Sequence, residues 1–285
     1  MSPTSGRRSR AALLAAAVLV AAALGAASCG GSSDPDRPDG PAAGGGAAGR
    51  AQEAEAEERR GPLLEGGERV VFIGDSLAVE APPSYPELLP EALGGRADGV
   101  RTVNLAEPGT TAADWSAGEP LFRQRLAPEL TDADLIVVTL GGNDLQEALG
   151  GSDGLDAAER ADAGSAAGAL AAVDRFGRRL RSIFAAIRRR SPGTRIAYVG
   201  YPDYSRATAW REIGGTRGTL ALSFGLSALT AAAADAGPDL LVDMRDSTGR
   251  AGVDSLLADT EHLGPAGHEL YARKLAAALT RPERG

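Results

Sequence analysis

One serine and one histidine in this chain sit in settings suited to acyl chemistry. Ser76 lies in Gly74-Asp75-Ser76-Leu77, directly after a short aliphatic run. A serine hydroxyl is a weak nucleophile and needs an adjacent base to take its proton as it attacks a carbonyl. The chain has two histidines, His262 and His268, and imidazole titrates near neutral pH, which suits it to that work. Asp259 stands three residues before His262. That is close enough, within one turn of chain, to accept a hydrogen bond from the second ring nitrogen and stabilise the imidazolium. His268 follows Gly267 and falls in the first turn of a final helix, where a structural bond is expected, so His262 is the favoured base.

Two further segments carry polar residues beside glycine: Asn104 leading to Pro108-Gly109-Thr110-Thr111, and Gly141-Gly142-Asn143-Asp144. Asp75 and Asp144 read as partners of local backbone, and Asn104, Thr110 and Thr111 as loop-fixing residues. Ser76 itself has a plainer reading, as a cap of the helix that follows. A rival nucleophile, Ser152 in Gly150-Gly151-Ser152-Asp153-Gly154, matches the elbow of α/β-hydrolases. That elbow needs a strand before it and a helix after it. Here the surroundings, up to about Gly168, read as a loop beside the site. Trp115, Tyr201 and Tyr204 follow strands near the expected site mouth and read equally as pocket lining or as packing.

The elements that must position these residues begin at about Arg69. Five short runs, Val70–Ile73, Val100–Leu105, Leu135–Leu140, Arg195–Gly200 and Leu240–Met244, are nearly continuous in hydrophobicity, as buried parallel strands are. The segments between them are long enough for helices. The clearest, about Gly168 to Arg190, places Leu170, Val173, Phe176, Leu180, Ile183, Phe184 and Ile187 at helical spacing, with Ser191-Pro192-Gly193 ending it. A last helix covers about Pro265 to Leu279. Strands alternating with helices imply a parallel sheet covered on both faces, with reactive residues beyond the carboxyl ends of its strands. Ser76, Asn104 and Asn143 each fall at such an end.

Taken in order, the Gly74-Asp75-Ser76-Leu77, Asn104 to Thr111, Gly141–Asp144 and Asp259–His262 segments resemble the SGNH (GDSL) hydrolase family, over about Arg69 to Leu279. The resemblance implies an α/β fold: a three-layer, doubly wound (flavodoxin-like) sheet of about five parallel strands. It implies a triad of Ser76, Asp259 and His262. It also implies an oxyanion hole made by the backbone N–H groups of Ser76 and Gly109 and the side-chain amide of Asn143. Each such donor is worth about 3–4 kcal/mol to a tetrahedral intermediate. The chain departs from the family after His262, where Leu263-Gly264-Pro265 stands in place of the proline and asparagine that many members carry.

The start of the chain is of another kind. Arg7, Arg8 and Arg10 precede an uncharged stretch, Ala11 to Ala27, and small residues then lead to Cys29, the only cysteine. The order is that of an export signal; the stretch is short and weakly apolar for a membrane span. It resembles a bacterial lipoprotein signal with Cys29 as the lipidated residue at the outer face of the cytoplasmic membrane. Ala26 stands where that family prefers a larger aliphatic, which leaves ordinary secretion as the alternative. The expected organisation is an export signal over 1–28, a Gly/Ala/Glu-rich tether over 29–67 and an SGNH-like hydrolase domain over 68–285. A flexible tether of that length reaches roughly 30–35 Å.

With 285 residues the chain can bury a full core without disulfides, which one cysteine cannot form internally. The net charge of −8 argues against a nucleic-acid partner. Two histidines and one cysteine cannot build a His/Cys-rich metal site, and no cofactor is expected. The expected protein is thus an extracytoplasmic serine esterase or lipase-like hydrolase, a monomer, acting on a small-molecule, lipid or glycan ester through an acyl-serine intermediate. An acyltransferase or carbohydrate deacetylase with the same triad is the alternative. A non-catalytic, lipid-tethered binding module is a further one, disfavoured because Ser76, Asn143, Asp259 and His262 are all intact.

Overall fold

The computed structural model describes residues 62–148, 163–247 and 252–281. The export segment, Cys29, most of the expected tether and the Ser152 loop lie outside the described residues.

Five parallel strands form one sheet in the order β2-β1-β3-β4-β5. They are β1 (Arg69–Gly74), β2 (Arg101–Asn104), β3 (Leu135–Thr139), β4 (Arg195–Val199) and β5 (Leu240–Val242). This is the flavodoxin-like order, with its topological switch between β1 and β3. β3 is buried along its whole length and β1 in all but its first residue, whereas the edge strands β2 and β5 are more open. That gradient explains why the central strands carry the longest β-branched runs.

Alternate residues of the strands feed two separate cores. Val70, Phe72, Val137 and Val199 join one face with residues of α1 (Tyr85–Leu93) and α5 (Pro265–Leu279). Val71, Ile73, Val138 and Tyr198 join the other with α3 (Ala163–Arg190). On α3 the expected stripe is buried from Val173 onward, with Phe176, Leu180, Ile183, Phe184 and Ile187 fully enclosed. Leu170 departs from the expectation: it is 40% exposed, because the stripe meets the core only from about Ala172.

Two elements frame the site. The short α2 (Gly142–Ala148) follows β3, and the long α4 (Thr208–Asp235) follows a 3₁₀ turn at Tyr204–Arg206. α4 is interrupted at Gly215 and contributes to both cores, Leu222 and Leu226 to one and Leu229 and Ala233 to the other.

The packed chain begins earlier than the expected boundary at residue 68. Leu63 and Leu64 are buried, and their N–H groups both donate to the Leu279 carbonyl, at 2.8 and 3.1 Å. The Arg195 guanidinium donates to the carbonyls of Pro62 and Leu63. The neighbouring Gly66-Gly67 pair gave this stretch the composition of a linker, although two leucines anchor it.

Candidate active site

β1 pairs with β3 through Gly74 opposite Thr139, and the Asp75 N–H extends the pairing by donating to the Thr139 carbonyl at 3.2 Å. The chain then turns into a 3₁₀ segment, Ser76–Ala78, capped by Asp75, whose carboxylate accepts the Leu77 N–H at 3.1 Å. Asp75 therefore does the capping that the plainer reading of Ser76 would have given the serine, and the half-buried Ser76 is the first residue of the turn. Asn104, at the end of β2, donates its amide to the Ala78 carbonyl at 2.7 Å and so pins this turn from the other side.

The loop after β2 is tied to both neighbours by Thr110. Pro108 and Gly109 occupy the turn closed by Thr110 N–H to the Glu107 carbonyl, and Gly109 has φ +76°. A type II turn requires that conformation at its third position, which favours glycine. The Thr110 hydroxyl sits between the carbonyls of Gly74 (2.9 Å) and Glu107 (2.8 Å) and accepts the Trp115 indole N–H at 3.1 Å. The Thr110 carbonyl accepts one N–H of the Asn143 amide at 2.9 Å. An amide nitrogen carries two hydrogens, so Asn143 keeps a second donor. Trp115 is fully buried in the α3-side core and is a packing residue.

The Asp259–His262 loop is closed by the Ala258 N–H donating to the His262 carbonyl at 2.9 Å and by a bridge between Leu257 and Leu263. One oxygen of Asp259 accepts the N–H groups of Glu261 and His262, each at 2.8 Å, and the other meets His262 Nδ1 at 2.8 Å. The Trp210 indole donates to the Thr260 carbonyl at 2.7 Å and the Tyr204 hydroxyl to the Glu261 carbonyl at 2.8 Å. Leu263, where the chain departs from the family pattern, is buried, and Gly264 N–H bonds the Leu256 carbonyl at 2.8 Å. Support for the histidine loop thus comes from backbone, from the 3₁₀ turn at Tyr204 and from α4.

Ser76, Asn143 and His262 line one cavity of about 90 Å³. Its walls are largely apolar, including Leu77, Leu145, Tyr201, Tyr204, Trp210 and Leu226. Gly109 and Asp259 do not line it; Asp259 reaches it through His262. Ser76 and His262 share the cavity without a hydrogen bond between them among the described residues. His268 lies elsewhere: it is fully buried, and its Nδ1 accepts the Tyr85 N–H at 3.1 Å.

With this geometry the comparisons with known proteins agree. The profile of the GDSL-like lipase/acylhydrolase family matches residues 72–270. The chain belongs to this family. It is accordingly an ester hydrolase of the SGNH type. Among solved structures, an extracellular lipase from Streptomyces rimosus shares 21% identity with a TM-score of 0.56, covering 74% of this chain and 99% of that one. A phospholipase A1 from Streptomyces albidoflavus NA297 shares 19% identity with a TM-score of 0.56, over 74% of this chain and 99% of that one. A lipase from a goat rumen metagenome also shares 19% identity, with a TM-score of 0.56 over 76% and 99%. These likenesses speak for the fold. No curated protein matches the chain.

The carboxylates of this hydrolase sit in opposed environments. Burial raises Asp75, against the Tyr201 hydroxyl and the Leu77 N–H that pull it down, and leaves it at about 6. Burial also works against ionisation of Asp259, but there the N–H groups of Glu261 and His262 and the imidazole prevail and hold it below its ordinary range. For His262, burial opposes the imidazolium; the hydrogen bond and charge of Asp259, with the charges of Glu80 and Glu261, outweigh it and raise the imidazole. Asp144 is raised by burial and accepts the Ala112 N–H at 2.9 Å, a partner from the preceding strand-end loop instead of the local one expected. Among the described residues no group of three or more His, Cys, Asp or Glu side chains is placed to hold a metal ion.

Tyr201 and Tyr204 line the cavity, one of the two readings the sequence left open for them. The bond of Tyr201 to Asp75 and the parts played by Glu80, Trp210 and Leu226 were not read from the sequence. The Tyr201 hydroxyl donates a short hydrogen bond to the second oxygen of Asp75, and its ring fills the space beside Gly142, where a Cβ would come within 2.9 Å of it. Glu80 approaches His262 Nδ1 at 3.4 Å. Trp210 and Leu226 come from α4, which no motif marked.

Asp75 gives this site an unusual pH signature. Because its folded pKa is raised from 3.8 to about 6, the native state binds the extra proton first. The contribution of Asp75 to stability therefore falls as pH rises through that window, by roughly 3 kcal/mol in all. Asp75→Asn removes this dependence. Denaturation midpoints compared at pH 4 and pH 7 should show the wild type losing ground to the variant on going to pH 7; a difference independent of pH would contradict the assignment.

Proposed function

We propose that this hydrolase cleaves carboxylic esters with apolar acyl chains, outside the cytoplasm, through an acyl-serine intermediate on Ser76. The observation that carries the proposal is that Ser76, Asn143 and an Asp259-bound His262 meet at one apolar-walled cavity.

The chemistry follows from the hydrogen bonds already in place. Asp259 engages Nδ1 of His262, which leaves Nε2 as the ring nitrogen free to take the serine proton. As Ser76 Oγ bonds to the ester carbon, the carbonyl electrons move onto its oxygen. The Ser76 N–H, which is the unsatisfied first donor of its turn, and the second N–H of Asn143 are suited to receive that charge. The family resemblance makes the Gly109 N–H a third donor; Gly109 does not line the cavity, but its neighbour Thr110 is bonded to Asn143. His262 then returns the proton to the departing alcohol. Water repeats the sequence on the acyl-serine and releases the acid. The apolar walls suit an acyl chain better than a sugar, since a glycan needs polar partners for its hydroxyls.

Ser76→Ala should abolish ester turnover, and Asn143→Ala should lower kcat by about 10²–10³. Because His262 must be neutral to act and is raised above its ordinary value, kcat/KM should fall on the acid side with a midpoint above about 6.5. Wild-type-like turnover by Ser76→Ala would end the proposal.

Export rests on the order of residues 7–29, with Cys29 as the lipidated anchor to the outer face of the cytoplasmic membrane. Metabolic labelling with a fatty-acid probe should mark the full-length protein and lose the mark in Cys29→Ser; equal labelling of both would exclude Cys29.

A further inference from the structure

His262 is faced by more than one carboxylate. Asp259 meets its Nδ1 at 2.8 Å and Glu80 approaches the same atom at 3.4 Å. The two arrive from different parts of the chain: Asp259 from the histidine's own loop, Glu80 from the turn that carries Ser76. The N–H groups of Val79 and Glu80 both donate to the Ser76 carbonyl at 3.0 Å. Asn104 holds that same turn through the Ala78 carbonyl. Glu80 is thereby fixed to the backbone of Ser76, and its carboxylate spans from the serine turn to the histidine. Farther along, the Tyr85 N–H donates to Nδ1 of His268, in the helix that follows the histidine loop. Both histidines of the chain therefore contact the segment that runs from Ser76 to the first residue of α1.

We propose that Glu80 is a positioning residue for the esterase reaction: its carboxylate holds the His262 imidazole beside the serine turn and takes over Nδ1 when Asp259 is neutralised. The proposal rests on the reading of His262 as the base of Ser76. An imidazole Nδ1–H donates one strong hydrogen bond, and Asp259 has it in the resting arrangement. Glu80 then contributes charge and a second anchor, and becomes the hydrogen-bond acceptor once Asp259 is an amide. A half-exposed ion pair such as this adds little to stability. Its effect lies in where the ring sits and how readily it takes a proton. The other charged groups facing His262 are Glu261 in its own loop and Asp75 at the end of β1. Neither changes in the variants below.

The test compares Glu80→Gln, Asp259→Asn and the double variant in the full domain, with two readouts. The first is the titration of His262 followed by NMR of the imidazole, which is tractable because only His268 shares the spectrum. Glu80→Gln should move that titration, and the acid limb of kcat/KM with it, to lower pH. The second is coupling. Asp259→Asn should retain ester turnover above the Ser76→Ala background, and Glu80→Gln should cost at least roughly threefold more in kcat in the Asp259→Asn background than in the wild type. A His262 titration unmoved by Glu80→Gln, or losses that simply multiply, would overturn the proposal. The titration needs no substrate. A failure of the Ser76 reading would therefore show separately, as turnover by Ser76→Ala with the Glu80 shift intact.

Discussion

The parallel pairing of β1 with β3 is the constraint on which the site depends. It runs from Val70 opposite Leu135 to Gly74 opposite Thr139, and the Asp75 N–H continues it by one further bond. Two strands locked in that register must deliver the residues beyond their ends to one place. From β1 that residue is Ser76; from β3 it is Asn143. The order of the sheet reverses between these strands, so their connections leave in opposite directions and open a crevice. The third contributor, the loop after β2, is held by the Thr110 hydroxyl against Gly74 and by the Thr110 carbonyl against Asn143. The histidine loop arrives last in the chain and is fastened by Trp210 and Tyr204.

Electrostatics divides the labour among the acids gathered there. Asp75 is enclosed, and the cost of burying its charge exceeds what Tyr201 and Leu77 return. It suits a structural post, capping the serine turn and linking the ends of β1 and β4 through Tyr201. Asp259 is more open and receives two backbone N–H groups as well as the imidazole, so it stays ionised beside its partner. Environments that push like groups apart in pKa mark out different roles. Here the separation matches the position of each acid, one behind the serine and one behind the histidine.

Much of this was legible in the residues because the central elements obey simple rules. Continuous β-branched runs at Val70–Ile73 and Leu135–Leu140 read as buried parallel strands and proved to be so. Thr110 and Asn104 read as loop-fixing and each bonds backbone of a neighbouring segment. What escaped depended on packing at a distance. α4 is rich in Ala, Gly, Thr and Ser and feeds both cores, so it shows no single apolar stripe. With α4 went Trp210 and Leu226. Leu63 and Leu64 were obscured by glycines next to them, and Leu170 fitted the helical spacing but lies before the helix reaches the core. Tyr201 was marked only as lining or packing and Glu80 not at all: their importance comes from Asp75 and His262, far away in sequence and adjacent in space.

The proposed reaction requires a serine, an imidazole and an amide to surround one carbonyl carbon. The most direct measurement is a crystal structure of the protein inactivated by an alkyl phosphonate. In that adduct phosphorus should be bonded to Ser76 Oγ, with its oxygen at about 2.7–3.1 Å from the Ser76 N–H nitrogen and from Asn143 Nδ2, and the alkyl chain among Tyr201, Trp210 and Leu226. An adduct on another serine, or a phosphoryl oxygen turned away from Asn143 with His262 out of reach of Ser76, would contradict it.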